Sequence, residues 1–323
     1  RELTKAWAER TREEKWKKLK ARAFHGHTFT TLKDSRDSNY FIGNPSSKMS
    51  DKSMKFALLS RLNMLPTGEF QAIRSNNPVR TTTCPRCQAN ITDSLMHRLN
   101  GCSARGADFK TKRHDLLQNI VRAEMYAKYH QPVHTSCRIS INGTRLTHNN
   151  GDMPDLWQVV GNQLFIVEFT VPYGCMSDHN ANHRSSTLAT ARQQKIDKYT
   201  PLVQLAHTTW GYDVKLFVIV VSSLGAIPRE TQNDLQKLLA LSPIETKRLS
   251  RKLVYNALKG SMFIFYGFNS NTRAAAEIEV HDEGLPTNEA LEEPLENEND
   301  PAVRRQEARN RSRRAEARRH RAQ

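Results

Sequence analysis

The sequence predicts an α/β layered domain, with a small metal-binding segment ahead of it and charged extensions at both ends. Three observations carry that prediction. Residues 110–129 place Leu116, Leu117, Ile120, Val121 and Met125 along one side of a helix. Residues 155–168 read as two β-prone runs around Gly161-Asn162, a two-residue hairpin signal of type II′. Residues 214–222 are almost continuously apolar, as expected of a central strand covered on both faces.

The remaining elements follow in order. Residues 1–23 hold nine Lys/Arg and four Asp/Glu around Trp7, Trp16 and Leu19, a basic helix. With no initiator methionine and Arg1 already inside that run, the chain reads as a piece of a longer polypeptide. Residues 24–53 are a polar linker rich in Ser, Asn and Asp. Residues 54–74, with Phe56, Leu58, Leu59, Leu62, Met64 and Leu65, predict a helix stopped by Pro66-Thr67-Gly68. After the helix at 110–129 come strands near 136–141, 155–160 and 163–171, then a polar helix over 183–208. The strand at 214–222 is followed by helices at 229–241 and 244–259 and a last strand near 261–266. The order is α-β-β-β-α-β plus helices. Ten Asp/Glu lie between 277 and 300, then nine Arg against two Glu in 301–323, blocks expected to be disordered. The Arg block suits nucleic-acid contact or nuclear import. This divides the chain into a helical and linker segment at 1–80, a knuckle at 81–105, the α/β domain at 108–270 and a tail at 271–323.

Charge names a class of partner. With 49 Lys+Arg against 33 Asp+Glu, the net charge is +16 and the pI about 9.8, which favours a polyanion because basic side chains release counterions from phosphates. No 18-residue apolar stretch and no signal peptide are present, so nucleic acid is preferred to a membrane surface. Five cysteines, three of them within 84–102 and Cys137 and Cys175 isolated, suit metal binding in a reducing compartment rather than disulfides. The glycosylation-like Asn142-Gly143-Thr144 is then a chance match.

Cys84-Pro85-Arg86-Cys87, His97 and Cys102 have the spacing C-x2-C-x9-H-x4-C, a closed Cys₃His set of the kind that holds structural zinc. Gly101 can end a short helix carrying His97. The segment is too small to bury a core, so the metal supplies its folding energy. Arg86 and Arg98 beside the ligands are candidate nucleic-acid contacts.

Pairing the 155–168 hairpin outward from Gly161-Asn162 brings Asp155 opposite Glu168 on one face, with Cβ atoms about 5 Å apart. Like charges so placed repel, and a divalent cation between them removes the conflict. Hard-oxygen ligation that leaves room for water and phosphate describes Mg²⁺ (or Mn²⁺) in phosphodiester hydrolysis. Such chemistry also needs a cationic side chain. Two residues past Glu168, where many nucleases of this kind keep a lysine, the sequence has Thr170, so the replacement would have to come from elsewhere. Lys195 and Lys198, three apart on the next predicted helix, both qualify.

Pro154-Asp155, twelve residues and then Glu168, preceded by the C-C-H-C knuckle and followed by Lys-x-x-Lys-Tyr (195–199), resembles the C-terminal part of site-specific non-LTR retrotransposon proteins that carry a restriction-like, PD-(D/E)xK endonuclease. The resemblance covers roughly 56–268. It includes Leu65-Pro66-Thr67, Lys112-Arg113-His114-Asp115 and Phe169-Thr170-Val171-Pro172. It implies a restriction-endonuclease-like core that nicks double-stranded target DNA in the nucleus to prime reverse transcription. It also implies an upstream reverse transcriptase in the same polypeptide and element RNA bound through that parent protein. Asp155 and Glu168 would carry the metal, Lys195 or Lys198 would be the migrated lysine, and Arg113 and His114 would touch DNA. Two positions depart from the family: Met153 replaces the usual Lys or Arg, and about 26 residues separate Glu168 from Lys195, suggesting a loop inserted at 174–183. The alternative function is an inactive knuckle-containing module that only positions DNA or RNA.

Overall fold

The computed structural model describes residues 36–42, 49–75, 82–87, 90–104, 107–146, 153–174 and 188–269, with helical residues 10, 11, 13–15, 17 and 18. The described residues all fall within one unit of the chain, Arg1–Asn271. The expected tail, much of the N-terminal helix and linker, Cys175 and nearly all of the expected 174–183 insertion lie outside the described residues.

The architecture is mixed α/β. Helix α1 (Asp51–Arg61) starts at Ser50, whose hydroxyl accepts from Ser53 N–H at 3.3 Å. The single helix expected over 54–74 is in fact two: α1 ends at Arg61, where Asn63 takes φ +51° and Met64 N–H turns back to Leu59 O at 2.8 Å, and α2 (Gly68–Ser75) restarts beyond Pro66. Proline biases the residue before it away from helical geometry and offers no N–H to the turn behind it. Helix α3 (Ala107–Tyr129) leads to β1 (His134–Thr135), and a separate hairpin joins β2 (Ser140–Ile141) to β3 (Thr144–Arg145). The strand expected over 136–141 is therefore split. Ser136, at φ +45°, breaks the extended run, and Asn142 and Gly143, at φ +50° and +77°, form the tight turn that two positive φ angles allow.

Strands β4 (Leu156–Val160) and β5 (Gln163–Thr170) form the hairpin in the expected register, from Val160 opposite Gln163 to Leu156 opposite Val167. Gly161 takes φ +59° in the loop. Helix α4 (Leu188–Trp210) then crosses over to β6 (Asp213–Val220), which runs parallel to β5. Helices α5 (Arg229–Leu239) and α6 (Pro243–Asn269) finish the described chain. The sheet order is β1-β4-β5-β6.

That order corrects two expectations. The run at 214–222 is an outer strand of the sheet, not a central one, yet both of its faces are covered. Phe217, Ile219 and Val221 pack with α3, α5 and α6, while Val218 and Val220 pack with Leu188 of α4. Its open backbone is satisfied by side chains. Asp234 accepts from Val218 N–H at 3.2 Å, Arg192 donates to Val218 O at 2.9 Å, and Thr231 both accepts from Val220 N–H and donates to Val220 O. The last expected strand, near 261–266, is instead the final part of α6. Leu258, Ser261, Met262 and Phe265 are all buried, which is helical spacing. The β-prone Phe263-Ile264-Phe265 masked that period.

The two sheet faces have different partners. One face, with Leu156, Phe165, Val167 and Phe169, packs on α3, α5 and α6 through Leu117, Val121, Leu235, Leu253 and Leu258. The other, with Trp157, Leu164 and Ile166, packs on Tyr199, Leu202 and Ala206 of α4 and on Ile139, Ile141 and Leu146. Asp155 and Glu168, at the open end of the hairpin, lie where α3 and α4 both reach the sheet.

Candidate active site and metal centre

The hairpin register carries Asp155 to Glu168 one step beyond the last strand pair. Their contact is through the backbone as well as the charges: Asp155 N–H donates to Glu168 Oε1 at 3.0 Å, and Phe169 N–H donates to Asp155 Oδ2 at 2.7 Å. Gln118 of α3 donates to Asp155 O, and Ser136 N–H donates to the same carbonyl at 3.0 Å. Asp155 Oδ1 has no hydrogen-bond partner among the described residues. Glu168 is fully buried, and Lys195 Nζ reaches its Oε2 at 2.7 Å.

The structure separates the two candidate lysines. Leu188, Tyr199, Leu202 and Ala206 form the buried stripe of α4, and Lys195 lies on it, one turn before Tyr199. Lys198 is exposed. Its ammonium meets the Tyr199 hydroxyl at 3.2 Å and lies 4.6 Å from that ring's centre, with no contact to either carboxylate. Tyr199, to which no role was assigned from the sequence, donates to Met153 O at 3.1 Å and hydrogen-bonds Glu168. Its place in Lys-x-x-Lys-Tyr, four residues after Lys195, was the available signal.

His114 is not turned outward. Its Nε2 lies 3.3 Å from Asp155 Oδ2, its Nδ1 lies 3.3 Å from Asp115, and its ring meets Phe169 edge-on at 6.1 Å. The hydrogen bond to Asp155 outweighs burial and holds the imidazolium to higher pH than its usual 6.5. Burial pushes the Asp155 carboxyl up, but His114, the Phe169 N–H and Lys195 together outweigh it and leave it below the ordinary range. Glu168 behaves oppositely. Burial and then the Asp155 charge push its carboxyl up, and Lys195 and Tyr199 only partly oppose them.

A stability prediction follows from the His114 shift. Because its folded value is raised, the stabilisation by this histidine is complete below pH 6.5 and is lost as pH rises through the raised value. His114→Gln is therefore expected to lower the melting temperature at about pH 6 and to matter little by about pH 9. Thermal melts of both proteins across that range check it, and a gap that persists at the alkaline end contradicts it.

The knuckle residues converge. The ligand atoms of Cys84, Cys87, His97 and Cys102 all lie within 4.8 Å of one another, so the cluster could hold a metal ion such as zinc. The Cys84 and Cys102 sulfurs are 3.9 Å apart, and Cys87 Sγ is 3.4 Å from His97 Nε2. Ligands at tetrahedral zinc distances stand about 3.5–3.8 Å from each other, so the donor set fits. Burial pushes the Cys102 thiol up to about 11, with Cys84 and Cys87 adding to the rise and the Ala104 backbone opposing it, so the sulfur keeps its proton near neutral pH unless a cation replaces it. The Cys84–Cys87 turn sits in a small loop closed by a bridge between Thr83 and Thr92. His97 opens a single π-turn, His97–Gly101. A side chain at Gly101 would stand 3.3 Å from His97 Nδ1, so glycine leaves the imidazole room.

The knuckle does bury apolar surface. Leu95 and Leu99 share a core with Phe56 of α1 and Met262 and Phe265 of α6. Two arginines expected to face nucleic acid are instead interior. Arg98 forms a two-bond pair with Asp93, both contacts at 2.6 Å, and lies over Phe265 and Phe268. Asp93 in turn accepts from Gly68 N–H at 2.7 Å, so the knuckle caps α2. Arg113 is buried and donates to Ser261 Oγ at 2.8 Å and Leu99 O at 3.3 Å. Spacing cannot distinguish such an arginine from a surface one. Arg86 is half-buried beside Phe268. No protein-family model and no curated protein matches the chain.

Proposed function

We propose that this chain is a divalent-metal-dependent DNA endonuclease built on a restriction-like core, with Asp155, Glu168 and Lys195 as its reactive group. The observation that carries the reading is the convergence of a partly exposed Asp155 and a fully buried Glu168 at one hairpin end, with the Lys195 ammonium on the second acid. A buried carboxylate is costly unless paired. This one is paired, and it stands beside another acid whose charge it feels, an arrangement that a divalent ion relieves.

Asp155 and Glu168 are the residues that would hold Mg²⁺ or Mn²⁺, and Asp155 Oδ1 is a lone-pair donor with no protein partner among the described residues. The ion, when bound, supplies Lewis acidity to the scissile phosphate. The protein's own groups do the remaining work. Phe169 N–H and His114 fix the orientation of the Asp155 carboxylate, and Lys195 places a positive charge where negative charge develops on the phosphate oxygens. Zinc in the Cys84/Cys87/His97/Cys102 centre is structural in this reading, since four protein ligands leave no open position.

The ordered set of knuckle, Pro154-Asp155, Glu168 and Lys195 favours the retrotransposon context, in which nicking of target DNA primes reverse transcription by an upstream polymerase. The net charge of +16 suits the polyanionic substrate. The test is incubation of the chain with supercoiled plasmid and Mg²⁺ or Mn²⁺. Conversion to the relaxed form by the parent, dependent on metal and lost in Asp155→Ala, supports the proposal. Relaxation that survives in Asp155→Ala places the activity elsewhere.

A further inference from the structure

The five-residue turn His97–Gly101 begins with one ligand of the Cys₃His cluster and ends beside another, Cys102. Between them it makes three bonds to α3 and to the exit of β5, the elements that build the carboxylate site. Asn100 Nδ2 donates to Val171 O at 2.6 Å, just beyond the end of β5. Leu99 O accepts from Arg113, the neighbour of His114 on α3. Lys110, also on α3, donates to Asn100 O at 3.3 Å and Cys102 O at 2.8 Å.

The Asn100 contact falls at a sensitive place. Val171 is two residues past Phe169, whose N–H holds Asp155 Oδ2. Pro172 follows and has no N–H to give to the ladder; on the side of the following strand the exit is held by Val221 N–H at Thr170 O, 3.2 Å, and Ser223 N–H at Pro172 O, 2.8 Å, while the Val171 carbonyl between them is held by Asn100. Asn100 Oδ1 is buried without a partner among the described residues. An amide left half-satisfied in this way is poor stabilisation by itself, and the arrangement is accounted for by what its other end holds.

We infer that Asn100 is a positioning residue that couples the Cys₃His centre to the carboxylate site: a metal ion in the cluster fixes the His97–Gly101 turn, and Asn100 passes that order to the exit of β5 and to the Phe169 N–H that aims Asp155. Only the activity readout of its test rests on the nuclease reading.

The experiment is amide hydrogen exchange on the zinc-loaded chain, comparing the parent with Asn100→Ala and with Asn100→Asp, which keeps the shape but has no N–H to donate. In either variant, exchange at Phe169 and Thr170 is expected to rise about tenfold while zinc stays at one per chain and α5 is unaffected. Stripping zinc from the parent is expected to raise exchange at the same two amides, and in the variants to add little there. Nicking at saturating DNA is expected to fall about tenfold in the variants with half-saturation unchanged. Unchanged exchange at Phe169 and Thr170 overturns the coupling even if the parent nicks DNA. A rise shared equally by α5 also overturns it, because the loosening is then global. If exchange responds as expected but the parent nicks no DNA, the coupling stands and the nuclease reading falls.

Discussion

Glu168→Gln is expected to lower metal-dependent nicking by about 10³-fold, equivalent to about 4 kcal/mol of transition-state stabilisation. The substitution preserves the side chain's shape and an oxygen that can accept the Asp155 N–H, so the hairpin end is retained. It removes the negative charge that would share the metal with Asp155 and leaves Lys195 without its ion-pair partner. Lys195→Ala is expected to cost about 10²-fold, the scale of losing one charge-stabilising donor. Lys198→Ala should change the rate by less than about threefold, since its ammonium engages Tyr199 rather than either acid. Single-turnover nicking rates, with circular dichroism to check folding, separate the three. Equal losses at the two lysines would remove the structural basis for choosing Lys195.

The second large effect is on stability. Cys102→Ser is expected to weaken metal binding in the knuckle and to release the segment from the body of the unit. Leu95 and Leu99 would then leave the core they share with Phe56, Met262 and Phe265. Two buried leucines at about 1.5–3 kcal/mol each give a loss of about 3–6 kcal/mol. At about 2–4 °C per kcal/mol, the melting temperature should fall by on the order of 10 °C. Differential scanning calorimetry with zinc quantified in each sample tests this. A normal melting temperature in a zinc-free protein would mean that the Leu95 and Leu99 contacts suffice without the ion.

Much of the scaffold was legible locally because its signals are local. The Gly161-Asn162 turn and its flanking alternation specify the β4–β5 register, and a register error of one residue would expose the whole apolar face. The Asn142-Gly143 turn is equally local, but the left-handed Ser136 that splits the strand expected over 136–141 carries no such signal. At the end of α6, β-prone residues obscured a helical period that becomes plain only when Met262 and Phe265 are seen against Leu95 and Leu99.

The sequence by itself determined which groups stand near one another along the chain: two acids opposed across a hairpin, two lysines on the following helix, and three cysteines and a histidine spaced so that they could close on a metal. Each depends on the period of a strand, a helix turn or a short loop, and such periods are local properties. Only the tertiary structure set Lys195 rather than Lys198 on Glu168, turned His114 toward Asp155, and made Arg98 and Arg113 internal struts between the knuckle, α3 and α6. Those outcomes depend on which face of each helix meets the sheet. Burial of one face against distant residues settles that, and a long basic side chain reads the same in sequence whether it ends in solvent or on a buried carboxylate.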